Sequence, residues 1–293
     1  MLIGILSVAG AATLLGLMPT FQKQVMVDGL PMNSLMLYTN LIITLVSLGM
    51  ALLKKRSLKA RPIQMIQAVL MGTVGMLLTA LLLNTSYLYL PVGMAIMLNF
   101  LYPTVVCVVM GTVFRQGFTG LQLAAVASSI VGMLFLAGKG GDVQTIGIVA
   151  ALCSAFTYGG YLIANEKGPA NQLPIETKLF YVSLPGTLLY AVLAPATGTL
   201  AAPSQPAGWL YVLASGLFTV GGYFLMMYGI GRMGASTSAF VSMLEPIVST
   251  VFGTVWFHDP VTLGMAAGGV LVLVSILLIA VDGYRKAQQA ERA

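Results

Sequence analysis

Long apolar runs, interrupted by short clusters of turn and charged residues, form the dominant pattern along the 293 residues. The runs are continuous rather than alternating, which points to helices and away from the strand period of a membrane barrel. A helix crosses the hydrocarbon core of a bilayer with about 20 apolar residues. Ten runs of that order can be drawn, at 2–26, 32–53, 64–87, 93–114, 120–138, 144–166, 175–196, 208–230, 235–257 and 261–281. Lipid offers no partner to a bare N–H or C=O, so each run must satisfy its own backbone as a helix. The expected class is an all-α integral membrane protein with ten transmembrane helices.

The pattern also repeats. Displaced by 143 residues, the second half falls on the first without a gap: Gly4-Ile5 on Gly147-Ile148, Gly16 on Gly159, Leu30-Pro31 on Leu173-Pro174, Tyr38 on Tyr181, Pro103 on Pro246, Phe114 on Phe257 and Thr119 on Thr262. Matched Leu or Val means little in so apolar a chain, so the Gly, Pro, Tyr and Thr matches carry the repeat. Two five-span units follow, residues 1–143 and 144–286, with 287–293 as a cytoplasmic tail. Five crossings turn the second unit over, giving an inverted-topology pair of the kind that opens a central site to one face and then the other. The first run has no basic leader segment and its counterpart at 144–166 is internal, so it is read as a span and not as a cleaved signal.

Composition agrees with this reading. Hydrophobic residues make up 58% and charged residues 8%, with a mean hydropathy of +0.94, whereas soluble domains carry roughly 25% charged residues. With the N-terminus inside, Lys54, Lys55, Arg56, Lys59, Arg61, Arg115, Lys167, Arg232, Arg285, Lys286 and Arg292 are cytoplasmic, and only Lys139 is outside. Basic residues concentrate on the cytoplasmic side of short loops, so both termini are expected there, in a multi-pass protein of the cytoplasmic membrane. The net charge of +6 then reflects topology and contact with the lipid bilayer's headgroups and gives no ground for a nucleic-acid partner. Cys107 and Cys153 lie inside spans without metal-ligand spacing. Gly229, Gly231 and Gly234 fit a dinucleotide fingerprint by letter, but no strand precedes them. No catalytic triad, metal motif or cofactor signature stands out.

Candidate chemistry gathers at mid-span. Pro103 and Pro246 lie about ten residues into spans 4 and 9. Inside a helix each would free the carbonyl four residues earlier, on Asn99 and Ser242, both of which carry polar side chains. Glu245 is the one carboxylate deep within a span, and its repeat counterpart is Tyr102. A central acidic group costs ~2.5 to 3.5 kcal/mol on insertion scales, so it faces a cavity, finds a partner or stays protonated. Three roles stay open for Glu245: proton binding coupled to transport, recognition of an ammonium group, or a neutral acid hydrogen-bonded to a tyrosine. Tyr158 and Tyr161 are three apart and share a helix face, making span 6 the candidate aromatic wall. Asn84 adds an amide in span 3. Lys23 and its counterpart Glu166 fall at opposite faces and are candidates for gates or interfacial anchors. His258 and Asp259 read as a solvated turn. Small-residue rows at Gly120, Ala124, Ser128 and Gly132, and at Gly264 and Gly268, permit close helix contact, within the chain or in a homodimer.

The stretches from Pro103 to Gly132 and from Pro246 to Ser275 resemble the helix-proline-short loop-helix signature of the drug/metabolite transporter superfamily, in particular its ten-helix EamA-type members. Leu244-Glu245-Pro246, Asp259, Thr262 and Gly268 match that pattern; the first copy has Gln116 and Ala125 in place of the acidic turn residue and first glycine. Span 1 carries Leu15-Gly16 where many members have Trp-Gly. The resemblance implies a central cavity walled by spans 1, 3, 4, 6, 8 and 9, with spans 5 and 10 peripheral. The functional expectation is a secondary transporter exporting a small polar or amphiphilic, amino-acid-like metabolite, with protons as a candidate coupling ion. Drug or organic-cation efflux is the alternative, and a scaffold or membrane enzyme the reading from another class.

Overall fold

In a computed structural model the described residues are 2–86, 88–90, 95, 98–136, 144–257 and 263–292, with some side chains in these stretches excepted. Tyr87, Lys139, His258, Asp259 and Thr262, and the start of the expected fourth span, lie outside them. The elements are α1 (Leu2–Val27), α2 (Met32–Leu53), α3 (Pro62–Ser86), α4 (Tyr102–Thr112), α5 (Gly120–Leu136), α6 (Thr145–Lys167), α7 (Ile175–Ala196), α8 (Pro206–Val241), α9 (Leu244–Phe257) and α10 (Leu263–Arg292). Among the described residues seven helices are long and apolar enough to cross a membrane, α10 through Ala266–Gly283, while α4 and Gly120–Gly132 of α5 are shorter apolar helices. Proline stands at or beside the first residue of α2, α3, α7 and α8, where the first turn has no intrahelical acceptor for an N–H and its loss is tolerated.

Two elements depart from a plain helix. Met71–Leu78 of α3 is π-helical. In α8, Gly234 takes φ 82° and ψ 165°, left-handed values that a side chain would strain, and a short helical segment, 235–241, follows it. That segment ends in a turn at Ser242 and Met243, beyond which α9 begins. The expected continuous span over 235–257 is therefore two half-helices. A turn at Phe100 and Leu101 likewise precedes α4. Pro103 and Pro246 accordingly sit in the first turns of α4 and α9 and not within unbroken helices. The breaks come just before the prolines.

The helices pair as α1 with α8, α2 with α7 and α5 with α10. Contact is close where glycine removes bulk. A Cβ on Gly132 would lie 2.9 Å from the Gly268 carbonyl oxygen, and Ser128 Oγ donates to the Leu271 carbonyl at 2.8 Å. The small-residue rows thus meet within one chain.

Several contacts join positions 143 residues apart or come in pairs at that offset. Thr44 and Thr187 share a 2.8 Å hydrogen bond between α2 and α7, and Ser128 meets Leu271. Tyr38 donates to the Ala201 carbonyl and Tyr181 to that of Leu58, each at 2.9 Å. The Lys54–Glu176 ion pair, at 2.6 Å, occupies the positions that correspond at the other end of the molecule to Thr197 and Asn33, which share a 3.2 Å hydrogen bond. Lys54, Lys59, Lys167 and Arg232 gather at one end, called the basic end below. Residues 28–34 and 197–205 gather at the far end, tied by Asn33–Thr199 and Ser204–Asp28 contacts.

Gly16 and Gly159 cross the two helix breaks at corresponding places. A Cβ on Gly16 would lie 2.7 Å from the Glu245 carbonyl oxygen and 2.9 Å from Val248 Cβ; on Gly159 it would lie 3.5 Å from the Tyr102 carbonyl and 3.3 Å from Val105 Cγ1. Backbone cannot yield as a side-chain tip can, so overpacking of about 1–3 kcal/mol is expected for Gly16→Ala and much less for Gly159→Ala. Thermal unfolding of the two variants in detergent checks this: Gly16→Ala lowers the transition clearly more than Gly159→Ala, and equal shifts would refute the difference in contact.

Candidate functional site

The breaks before α4 and α9 face one another, and a hydrogen bond joins them. Ser242 Oγ donates to the Ala239 carbonyl at 2.9 Å, leaving Tyr102 to donate its hydroxyl to Ser242 Oγ at 2.6 Å. Both residues are fully buried. Tyr102 also meets Tyr158 edge to face, with centroids 4.7 Å apart and an interplanar angle of 83°, and Tyr158 stacks on Tyr161 at 5.8 Å. Phe100 lies 5.6 Å from Tyr102 on its other side. Asn99 Nδ2 donates to Ser154 Oγ at 2.9 Å, so the residue before the first break is held by α6.

Asn99, Phe100, Tyr102 and Tyr158 border a chamber of about 540 Å³. Its deep wall includes Tyr102, Tyr158, Tyr223 and Glu245; its rim includes Gln22, Met32 and Asn84, which belong to the far end of α1, α2 and α3. Walls come from α1, α3, α4, α6, α8 and α9, as the family resemblance implies, and α2 contributes as well through Met32 and Met36. No side chain among the described residues hydrogen-bonds or ion-pairs the Glu245 carboxylate, while its own backbone N–H donates to the Ser242 carbonyl at 2.9 Å. The tyrosine beside it is committed to Ser242, so the structure does not show Glu245 as an acid hydrogen-bonded to tyrosine. A bare carboxylate edged by aromatic rings is suited to an ammonium group, which the negative ring faces also attract, or to a proton.

Toward the basic end the chamber is closed. Tyr161 is 2% exposed, and a Cβ on Gly75 would lie 2.6 Å from its Cβ. Glu166 then ties α6 to the kink in α8: one carboxylate oxygen accepts from the Ala235 N–H and the other pairs with Lys167 at 2.6 Å. Ala235 opens the helical segment 235–241, so the carboxylate caps a helix N-terminus, where negative charge is favoured.

Of the candidates from sequence, Asn84, Asn99, Tyr102, Tyr158, Glu245 and Pro246 border the chamber. Ser242 stands behind Tyr102 as its acceptor. Tyr161 faces a separate lateral hollow with Gly75, Pro103 is buried in the first turn of α4, and Lys23 is exposed near the far end of α1. Lys23 and Glu166 are not brought together. Sequence reasoning missed Met18, Gln22, Met36 and Ser249 as wall residues; Gln22, a polar residue within the first apolar run, was the available signal. It also missed a second chamber, of about 210 Å³, which shares Met18, Gln22, Met36 and Tyr223 with the first.

Comparison with known proteins finds relatives among transporters. An uncharacterized transporter of Synechocystis sp. is 26% identical over 217 residues, covering 70% of this chain and 63% of that protein. The uncharacterized transporter YvbV of Bacillus subtilis is 24% identical, covering 81% and 77%. A probable terminal-alkyne amino-acid exporter of Streptantibioticus cattleyicolor is 27% identical, covering 75% and 74%. A crystal structure of a protein 16% identical superposes with a TM-score of 0.78 over 96% of this chain and 98% of that one, a likeness of fold. Residues 2–138 and 145–281 each match the EamA-like transporter family, and the chain belongs to that family.

Proposed function

We propose that this transporter is a secondary active exporter of a small amino-acid-like metabolite, working by alternating access between two inverted five-helix units in the cytoplasmic membrane. The observation that carries the reading is the Glu245 carboxylate, which no side chain among the described residues pairs, edged by Tyr102, Tyr158 and Tyr223 in a chamber whose rim lies at the far end. The pairs 143 residues apart, Thr44–Thr187 and Ser128–Leu271, support two units related by an axis between them. The basic loops lie at the closed end, so the positive-inside tendency puts both termini in the cytoplasm and opens the chamber outward. Export is supported by the exporter from Streptantibioticus among the relatives.

Glu245 serves as a shared site. It binds the substrate's ammonium group when open to the cytoplasm and a proton when open outward, and because one carboxylate cannot hold both, the proton gradient drives release outside. The Asn84 and Asn99 amides at the same chamber supply polar contacts for the rest of the head group. Organic-cation efflux uses the same carboxylate and rings; it differs in needing no carboxylate on the substrate. Proteoliposome counterflow with L-amino acids and with the matching alkylamines separates the two: amino acids preferred over amines by about tenfold or more supports the metabolite reading, and the reverse order supports cation efflux.

Glu245→Gln keeps the shape and removes the charge. A hydrogen bond to a charged group contributes about 1.5–3 kcal/mol, so transport is expected to fall by about tenfold or more and to lose its response to an imposed pH gradient. Persisting pH-driven transport in the variant would remove Glu245 from the coupling role. Glu166→Ala is expected to loosen the basic-end closure, because losing an N-cap costs about 0.5–2 kcal/mol, while Glu166→Gln keeps an oxygen acceptor. In a background without Cys107 and Cys153, thiol labelling of Asn165→Cys from the cytoplasmic side should rise severalfold with Glu166→Ala and little with Glu166→Gln; no rise with either would mean that Glu166 is no latch.

A further inference from the structure

The second chamber has no part in the function proposed above. It opens sideways from the first between α2, the π-helical segment of α3 and α7, and its inner wall is apolar: Ile43, Met76, Leu77, Leu179 and Val182. Helix contacts around it are already tight. A Cβ on Gly186 would lie 2.5 Å from Asn40 Oδ1, and one on Gly72 would run into the Val182 carbonyl. The space is therefore a bounded hollow and not slack between loose helices.

Two independent features mark it as a place for a ligand. Thr39 borders it, is 4% exposed, and its hydroxyl has no hydrogen-bond partner among the described residues. Nearby Thr44, Ser183 and Thr187 are by contrast bonded to one another. A hydroxyl left bare in the interior is costly, and buried polar groups are kept where something meets them. Another wall is π-helical at Met71–Leu78, a rare geometry that is frequent at functional sites. The corresponding stretch of α8, residues 214–221, is ordinary α-helix, so the π-helical wall of the hollow has no counterpart in the other half of the chain.

We propose that this lateral chamber is the selectivity pocket for the substrate's side chain. It takes an apolar chain or ring of about six carbons carrying one hydrogen-bonding atom that meets Thr39. The size follows from volume: an apolar cavity of about 150 Å³ accepts benzene, and this chamber holds about 210 Å³. The head group remains at Glu245, and Met18, Gln22, Met36 and Tyr223 form the passage between the two positions. The proposal rests on the ammonium site of the proposed function.

Competition binding to the purified, reconstituted protein tests it, with alanine, 2-aminobutyrate, norvaline, norleucine, 2-aminooctanoate, 2-aminodecanoate and 6-hydroxynorleucine as probes. Apparent affinity should rise about fourfold per added methylene, the fold-change that corresponds to burying one CH₂ group, up to the six-carbon side chain of 2-aminooctanoate, and fall at 2-aminodecanoate. Met76→Phe, which fills the pocket, should weaken norleucine at least tenfold more than alanine. Met76→Ala, which enlarges it, should move the optimum to longer chains and serves if the first variant does not fold. Thr39→Val should weaken 6-hydroxynorleucine severalfold more than norleucine. A flat series in the unaltered protein, or equal losses for alanine and norleucine in both Met76 variants, overturns the pocket while leaving the ammonium site standing. Failure of every probe to bind the unaltered protein overturns the ammonium site and the pocket with it.

Discussion

The hydrogen bond from Tyr102 to Ser242 is the contact on which the centre of the molecule depends. A helix that breaks inside a membrane leaves backbone groups without partners, and such breaks survive only where protein or a water-filled cavity receives them. Here two breaks are set face to face and joined by one buried phenol. Hydrogen bonds between membrane helices average only about 0.6 kcal/mol, so this bond orders the centre more than it stabilises it. It occupies the hydroxyl of Tyr102, which borders the same chamber as Glu245, so that hydroxyl does not bond the carboxylate.

The α2–α7 contacts at the two ends use different chemistry on one plan. At the basic end Lys54 and Glu176 form an ion pair, with Lys54 also 5.3 Å over the ring of Phe224; the corresponding positions at the far end hold a neutral amide and hydroxyl. The Lys54 side chain is half exposed, and exposed pairs contribute about 0–1 kcal/mol. Neither contact is strong enough by itself to lock the protein, and their difference is of the small size that a substrate or a proton can outweigh.

Much of this was legible in the sequence because membrane helices declare themselves by length and apolarity. The helices over 32–53 and 175–196 fall on the drawn runs, and the prolines marked where spans 4 and 9 are interrupted. Their mechanism was less legible. A proline in the middle of a run reads as a kink, but whether the helix ends before it depends on what faces the turn, here Gly16 and Gly159 and the Tyr102–Ser242 bond. Glu245, Tyr102 and Tyr158 could be placed at the chamber because a mid-membrane carboxylate and its counterpart have few other places to go. Met18 and Met36 could not, since an apolar wall residue looks like any lipid-facing one. The π-helical segment has no signature beyond the ordinary glycines at 72 and 75.

Thr44 against Thr187 carries a constraint of another kind. A residue on the line about which two like halves are related faces its own counterpart, so whatever group stands there must be complementary to itself. A carboxylate or an ammonium would meet its like, and an apolar branch could only pack. A hydroxyl both donates and accepts, and is among the smallest groups able to bond to its own copy. In any form of the chain whose halves were identical, that position could join them without either half differing from the other; everything that now distinguishes the halves could then accumulate away from the seam.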